Sequence, residues 1–335
     1  MNVSDSDIVR ALLLESGMTE VFTEPEAVVL LTNTCAIREG AELKVWHRLR
    51  DIKSQQQQTK KQVGASSRRR VVGVLGCMAE RLKHDLLQDG LADMVVGPDA
   101  YRDLPRLIDI LLQDDEETAV NVQLSLEETY ADVRPVRTNS QDVSAFVSVM
   151  RGCNNMCSYC VVPFTRGRER SRPFDSIVSE IKQLVEEGHV KEVVLLGQNV
   201  NSYHDRSEAA IQSKPAADYS TSNDGFSNLY RLRGGGGYYF ADLVEAVSSL
   251  SPELRVRFTS PHPKDYPPEL LQLMAERDNV CSQLHMPAQS GNTAVLERMR
   301  RGYSRDAYLR LIEDVRSTIP DVAISSDFID RKSVV

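Results

Sequence analysis

Three closely spaced cysteines constrain this 335-residue chain more than any other feature of its sequence. Cys153, Cys157 and Cys160 have the spacing Cys-x3-Cys-x2-Cys, and the apolar segment 145–150 just before them predicts a strand. The cysteines are therefore expected on a loop at the carboxyl end of a strand, where three thiolates can converge on one polynuclear centre. Three cysteines ligate three irons of a [4Fe–4S] cluster and leave the fourth iron open, whereas electron-transfer clusters use four.

Two other interpretations of the cysteine loop are weaker. A structural zinc site usually takes four ligands, and no fourth Cys or His follows at the spacing of a zinc finger. A disulfide within the loop would leave one thiol over. Six cysteines in a chain of this length do not form a disulfide scaffold and indicate a reducing compartment. Spacing and strand context together favour a cluster that leaves one iron free to chelate a substrate.

The charge balance argues against a chain whose whole surface binds nucleic acid. Lys and Arg number 40 against 48 Asp and Glu, so the net charge is −8 and RNA contacts are expected only at local basic patches. The segment 166–172 contains Arg166, Arg168, Arg170 and Arg172. Four clustered arginines can bind carboxylates, phosphates or RNA, so a functional role is favoured here over a solvated face. Two further arginine groups are candidates for RNA contact: Arg68, Arg69 and Arg70; and Arg298, Arg300 and Arg301. For the first of these groups a solvated face is favoured, because it lies in a polar segment.

Residues 1–115 alternate strands with helices, which is typical of an α/β fold with a doubly wound parallel sheet. Strands are predicted at 27–31, 71–75 and 93–96, and helices at 5–16, 38–53, 78–88 and 101–112. The polar segment 54–70 is predicted as a loop, and Ser4 as the cap of the first helix. Residues 116–142 have weak periodicity and are predicted to link this domain to a second domain at 143–335.

The second domain repeats the alternation, with strands predicted at 145–150, 192–196, 254–259, 280–286 and 322–329. Gln198 and Asn199 follow one of these strands, where amides either face a site or cap the next turn. His262 also follows a strand and is a candidate wall residue, whereas Cys281 is expected in the core. Residues 204–237 are polar, irregular and end in four glycines, so an inserted surface loop is expected there.

The cysteine loop, with Tyr159 directly before its third cysteine, resembles the radical S-adenosylmethionine (SAM) superfamily. The segments Asn33-Thr34-Cys35-Ala36 and Gly76-Cys77-Met78-Ala79-Glu80-Arg81 resemble the methylthiotransferase family within it, as does Arg-Gly-x-Glu-x-Ser-Arg at 166–172. The sequence Gly-Gln-Asn-Val-Asn-Ser-Tyr at 197–203 favours the branch that acts on isopentenyl-adenosine in tRNA. This resemblance implies a doubly wound domain followed by a partial radical SAM barrel.

The resemblance also implies cofactors, partners and site residues. Cys153, Cys157 and Cys160 would hold the cluster that cleaves SAM, and Cys35 and Cys77 would hold an auxiliary [4Fe–4S] cluster. Position alone leaves open whether these last two are buried structural thiols. The residues expected around SAM are Tyr159, Gln198, Asn199 and Gln289. tRNA is the expected substrate, with Arg166, Arg168 and Arg172 contacting RNA or the other domain, and the electron donor is unidentified.

The two ends of the sequence lead to further expectations. Met1-Asn2-Val3 aligns just after the family's first auxiliary cysteine, so a third auxiliary ligand is expected to be missing. The barrel stops after its fifth strand, before the family's RNA-binding domain, so this polypeptide alone is not expected to complete methylthiolation. The alternative is a cluster-deficient fragment that acts as a binding module or binds a kinase regulatory subunit. No long apolar run predicts a membrane span. The family implies a mitochondrial location, while the acidic residues 1–7 favour the cytosol.

Overall fold

The computed structural model describes residues 1–36, 39–63, 70–83, 85–88, 90–113, 117–215, 225–226 and 235–330. Arg68, Arg69 and the last five residues lie outside this part. The α-helices are α1 Asn2–Glu15, α2 Glu39–Val63, α3 Cys77–Leu82, α4 Asp85–Gln88, α5 Leu104–Gln113, α6 Val162–Thr165, α7 Phe174–Glu186, α8 Glu208–Ser213, α9 Phe240–Ser248, α10 Pro268–Glu276, α11 Thr293–Arg298 and α12 Arg305–Thr318.

The strands are short, and most are parallel to their neighbours. They are β1 Val29–Thr34, β2 Val71–Gly76, β3 Met94–Val96, β4 Ala119–Asn121, β5 Ser144–Ser148, β6 Met150–Arg151, β7 Arg170–Ser171, β8 Glu192–Leu196, β9 His204–Asp205, β10 Tyr238–Tyr239, β11 Arg255–Phe258, β12 Gln283–His285 and β13 Ala323–Ser325. Only β6–β7 and β9–β10 are antiparallel among the paired strands of the described residues.

The first domain is built on a parallel sheet in the order β1-β2-β3-β4. Side chains of α1 and α5 pack on one face of this sheet, together with Val71 and Leu75. Side chains of α2 and α3 pack on the other face, against Val72 and Val74. Because β2 is covered on both faces, all six of its residues are buried, as expected for a parallel strand. The predicted doubly wound sheet is confirmed.

Several predicted boundaries in this domain are wrong. The first helix begins at Asn2, and Ser4 is buried inside it instead of capping it. Residues 54–63, predicted as loop, continue α2, because Gln and Lys are good helix formers. The predicted helix 78–88 is divided into α3 and α4 at Lys83, whose φ is +47°. Ala119–Asn121, which the sequence placed in the linker, pairs with β3 as a fourth strand.

The second domain is built on parallel strands with helices packed against them. Strand β8 lies between β5 and β11. Val256 of β11 forms a single parallel bridge with Val280, and β12 pairs with β13. Apolar side chains of α7, α9, α10 and α12 form one core against this sheet. The arrangement fits the predicted partial barrel. None of the helices in the described ranges is both long and apolar enough to cross a membrane.

The segment 204–237 is more ordered than the sequence predicts. Strand β9 at its start pairs with β10, which directly follows the segment, and the Ser207 hydroxyl accepts from the amide of Ala210 to cap α8. Phe226 is buried against Tyr303, with ring centroids 5.5 Å apart. The prediction of a purely surface loop is therefore wrong for the described residues. It rested on the polar, glycine-rich composition of the segment, which does not indicate that Phe226 is buried. Residues 216–224 and 227–234 lie outside the described part.

Candidate metal centre

The cysteine loop leaves and re-enters the fold through a small hairpin. Met150–Arg151 pairs with Arg170–Ser171, so residues 152–169 form an excursion between β6 and β7. Gly152 opens the loop with φ +72°, and a Cβ there would lie 2.1 Å from the carbonyl oxygen of Arg168. Only glycine permits this conformation and this close approach. The amide of Cys153 then donates to the carbonyl of Gly167 at 3.2 Å, which closes the base of the loop.

The thiols of the loop are withdrawn from water. Cys153 and Cys157 are buried and Cys160 is half-buried. Burial raises the pKa of Cys153 to about 12 and also raises the pKa of Cys160, while the amide of Asn155 donates to the Cys153 sulfur at 3.4 Å. Buried thiols need a nearby cation to ionise. The iron of a cluster supplies that positive charge, so the donor set fits a metal cluster.

A single metal ion and a cluster place different demands on the ligands that hold them. Among the described residues, no three His, Cys, Asp or Glu side chains are arranged to hold one ion. A tetrahedral zinc site needs its donors at about 2.3 Å from a common centre. Three cysteines spread along a loop instead match a cluster in which each thiolate binds its own iron.

Unsatisfied amides lie beyond the end of β8. Both Oε1 and Nε2 of Gln198 are buried without a hydrogen-bond partner, as is Oδ1 of Asn199. Asn199 is itself fixed, because its Nδ2 donates to Asp265 at 3.0 Å. Buried polar atoms without partners are uncommon and call for an explanation such as a ligand or a water. Neither side-chain amide forms a capping bond to the next turn, so both residues stay candidates for contact with a ligand.

The other predicted cofactor residues differ in their surroundings. Tyr159 is 44% exposed, and its hydroxyl accepts from Nη1 of Arg301 at 3.3 Å. Gln289 has φ +64°, and its amide donates to the carbonyl of Asp327 at 2.9 Å. His262 is buried, and its Nδ1 accepts from the amide of Lys264. Burial, with the nearby charges of Arg301 and Lys264, holds the pKa of His262 well below its usual value, so its ring is neutral.

Cys35 and Cys77 lie side by side at the carboxyl edge of the first sheet. Thr34 pairs with Gly76 in the register of β1 and β2, so the two cysteines follow directly at the same edge. Cys77 is buried and Cys35 is half-buried. The fold therefore brings these predicted ligands together. Cys281, by contrast, is half-buried before β12, so its expected place inside a core strand is wrong.

Buried ion pairs join the two domains, and one of their arginines contacts Cys77. Arg166 donates through Nη2 to Asp5 at 2.6 Å and through Nε to the sulfur of Cys77 at 3.1 Å. Arg151 donates to the other oxygen of Asp5 at 3.0 Å, and Arg170 pairs with Asp99 at 3.0 Å. Although burial opposes ionisation, Arg166 and Arg151 lower the pKa of Asp5 below its usual value. Arginines in and next to the cysteine loop thus bind buried carboxylates of the first domain.

The remaining arginines divide into buried and exposed groups. Arg172 is buried and donates to Glu180 and to the carbonyl of Ser148 within its own domain. Arg168 is exposed, as are Arg298 and Arg300. Arg301 is buried, so its assignment to a surface basic patch is wrong. Three residues of these sites were missed from the sequence, because they lie in ordinary polar segments and are identified only by their contacts: Asp5, Asp99 and Arg151.

Comparison with known proteins decides the family. Residues 147–330 match the radical SAM superfamily, and residues 1–97 match the uncharacterized protein family UPF0004. The chain belongs to the radical SAM superfamily. The predicted cofactors, SAM and a [4Fe–4S] cluster, are those of this superfamily, and its partial-barrel fold agrees with the sheet described above. The resemblance stated from the cysteine motifs is confirmed.

Relatives carry methylthiotransferase names. The chain is 52% identical to the mitochondrial tRNA methylthiotransferase CDK5RAP1 of Mus musculus, covering 98% of itself and 54% of that protein. It is 44% identical to the tRNA-2-methylthio-N(6)-dimethylallyladenosine synthase of Chloroherpeton thalassium, covering 98% of itself and 64% of that protein. The chain thus spans between about half and two thirds of the length of these relatives.

A solved structure shares the fold at low identity. The chain aligns to the radical SAM methyltransferase TsrM of Kitasatospora setae, with cobalamin and a [4Fe–4S] cluster bound, at a TM-score of 0.57. Identity is 12%, and the alignment covers 97% of this chain and 65% of TsrM. This similarity extends across both domains and concerns the fold alone.

Proposed function

We propose that this chain is the cluster-binding part of a tRNA methylthiotransferase, which adds a methylthio group to C2 of N6-isopentenyl-adenosine next to the anticodon. The observation that carries the proposal is the hydrogen bond that joins the cysteine loop to Cys77 across a buried interface. Arg166 follows Cys160 by six residues and donates to the sulfur of Cys77. An enzyme that combines radical chemistry with sulfur transfer needs two such sites close together.

In this proposal, Cys153, Cys157 and Cys160 hold a [4Fe–4S] cluster, and Cys35 and Cys77 contribute to an auxiliary one. When bound, the first cluster supplies the electron that cleaves SAM. In the side chains of Gln198 and Asn199, three polar atoms without a partner are available to SAM. Nε2 of Gln198 is a donor, and Oε1 of Gln198 and Oδ1 of Asn199 are acceptors. Tyr159 lies partly exposed on the cysteine loop, and the backbone turn at Gln289 forms part of the wall of the proposed SAM site.

The chain contributes water exclusion and orientation. The thiols of Cys153 and Cys157 are buried, which keeps water from the ligand sulfurs. His262 is neutral and holds the turn at Lys264, so it shapes the wall without a charge. The exposed Arg168 lies on the same loop as the cysteines and is the member of its arginine group that remains available to an RNA phosphate.

tRNA is the proposed substrate and the mitochondrion the proposed location, both supported by the names of relatives. A net charge of −8 agrees with recognition through a local surface instead of general attraction.

Mass spectrometry of tRNA nucleosides tests the proposal. Cells that lack the gene are expected to lose the 2-methylthio nucleoside and to accumulate N6-isopentenyl-adenosine. Re-expression of the gene should restore the methylthio nucleoside, whereas a gene with Cys157→Ala should not. Unchanged methylthio nucleoside in the deletion strain would show that another enzyme makes it and would overturn the proposal.

A further inference from the structure

Arg301 occupies a turn that directs its side chain into the protein. The amide of Arg301 donates to the carbonyl of Leu296 at 3.0 Å and that of Arg300 to Glu297 at 2.9 Å, while Arg300 has φ +57°. These two bonds and the left-handed residue form a Schellman cap at the end of α11. The cap exposes Arg298 and Arg300 to solvent, whereas Arg301 is only 5% exposed.

The guanidinium of Arg301 is committed to groups of the protein. Nη1 donates to the sulfur of Cys157 at 3.4 Å and to the hydroxyl of Tyr159 at 3.3 Å. Nε donates to the hydroxyl of Tyr303 at 3.1 Å, and Nη2 donates to the carbonyl of Pro287 at 3.3 Å. Four of the five N–H groups of the guanidinium are therefore used. This leaves little capacity for a direct bond to a ligand.

The same helix cap also holds the backbone of the cysteine loop. The amide of Ser158, the residue after Cys157, donates to the carbonyl of Met299 at 3.1 Å. Main chain and side chain of one turn therefore contact the loop at Cys157 and at the two residues that follow it. The position of this sulfur depends on α11 as well as on the loop itself.

From this geometry we infer that Arg301 is a positioning residue that fixes Cys157 and favours the reduced form of the cluster bound there. The inference rests on the proposed cluster at Cys153, Cys157 and Cys160. Reduction adds one electron, and hence one negative charge, which the adjacent guanidinium stabilises. Hydrogen bonds to the ligand sulfurs and net charge set the potentials of such clusters. Arg301 donates no proton, because a guanidinium stays protonated in proteins.

The experiment compares midpoint potentials of three variants by spectroscopically monitored redox titration under anaerobic conditions. All proteins carry Cys35→Ser and Cys77→Ser, so that only the loop cluster is loaded, and dithionite supplies the electrons. Arg301→Met removes the charge and the bonds, while Arg301→Lys retains the charge without the planar fork. Arg298→Met is the matched control, since it makes the same change at an exposed position of the same turn.

We expect Arg301→Met to bind iron and its midpoint potential to shift by at least about −59 mV. For one electron, this shift lowers the ratio of reduced to oxidised cluster tenfold at the midpoint of the protein that retains Arg301. Arg301→Lys should recover part of the shift, and Arg298→Met should match the wild type. An unchanged potential with full iron content would overturn the inference. So would loss of iron in both Arg301 variants with an unchanged potential in the cluster that remains, because this would show a structural role alone. Should Arg301→Met bind no iron, the potential of Arg301→Lys decides: a negative shift supports the inference and no shift overturns it.

The outcome is separable from the proposed function. A shifted potential in a protein whose gene deletion leaves tRNA methylthiolation unchanged would support the role of Arg301 and overturn the tRNA activity. Loss of the methylthio nucleoside on gene deletion, together with an unchanged potential in Arg301→Met, would do the reverse.

Discussion

Replacing Asp5 by Asn tests the charged interface between the two domains. Asp5 is fully buried and accepts hydrogen bonds from both Arg151 and Arg166. Asn keeps the shape of the side chain but removes the anion that these two guanidiniums share. Breaking a buried ion pair costs roughly 3–5 kcal/mol, which is about two to four powers of ten in an equilibrium constant. We expect this loss to uncouple the unfolding of the first domain from that of the second.

Urea titration of the metal-free, reduced protein measures this uncoupling. Trp46 is the single tryptophan of the chain and packs against the core of the first domain, so its fluorescence reports that domain. Circular dichroism reports both domains. In the wild type the two transitions should coincide, and in Asp5→Asn the Trp46 transition should move to lower urea and separate from the other.

A matched control distinguishes the interface from general destabilisation. Arg172 is a buried arginine of the same segment, and the atoms that its side chain contacts belong to Ser148, Ser176 and Glu180 in its own domain. Arg172→Met should lower the circular dichroism midpoint without moving the Trp46 transition ahead of it. Coincident and unshifted transitions in Asp5→Asn would refute the view that these ion pairs couple the domains.

Three further predictions follow from individual side chains. Burial raises the pKa of Glu80 to about 7, so its contribution to the free energy of unfolding should fall as pH rises from 4.5 towards 7. Glu80→Gln should therefore raise the urea midpoint at pH 8 but not at pH 4. Equal midpoints of the two proteins at pH 8 would contradict this. Ser304→Ala removes the bond from the Ala307 amide that caps α12 and should cost about 1 kcal/mol in urea unfolding, with exposed Ser317→Ala as the control. Gln198→Ala should weaken SAM binding by equilibrium dialysis at least tenfold while iron content stays unchanged; equal affinity would show that its buried amide faces something else.

The strand pattern could be predicted because burial on both faces leaves continuous apolar runs. Strand β2 and strand β8 follow such runs closely. Helix ends were less predictable, since α2 continues through polar residues that favour helix as readily as loop. Phe226 shows the same limit, because a single aromatic residue in a glycine-rich segment gives no periodic signal of burial.

The cysteines could be predicted from spacing, but their charged surroundings could not. Asp5 lies 146 residues from Arg151 in the chain, and no local pattern indicates that they pair. Arg301 stands beside two exposed arginines, and only the helix cap determines which of the three turns inward. Pairing between distant charged residues depends on the final packing of both domains, which local sequence does not encode.

Production of 5′-deoxyadenosine from SAM tests the central claim most directly. The chain is reconstituted anaerobically with iron and sulfide, given SAM and dithionite, and compared with Cys157→Ala and with Cys281→Ala. Cys281 is the control because it lies outside both cysteine sites. We predict that the wild type and Cys281→Ala form 5′-deoxyadenosine and that Cys157→Ala forms none. Equal production by Cys157→Ala, or none by a wild-type protein that has taken up iron, would contradict the assignment of the cysteine loop.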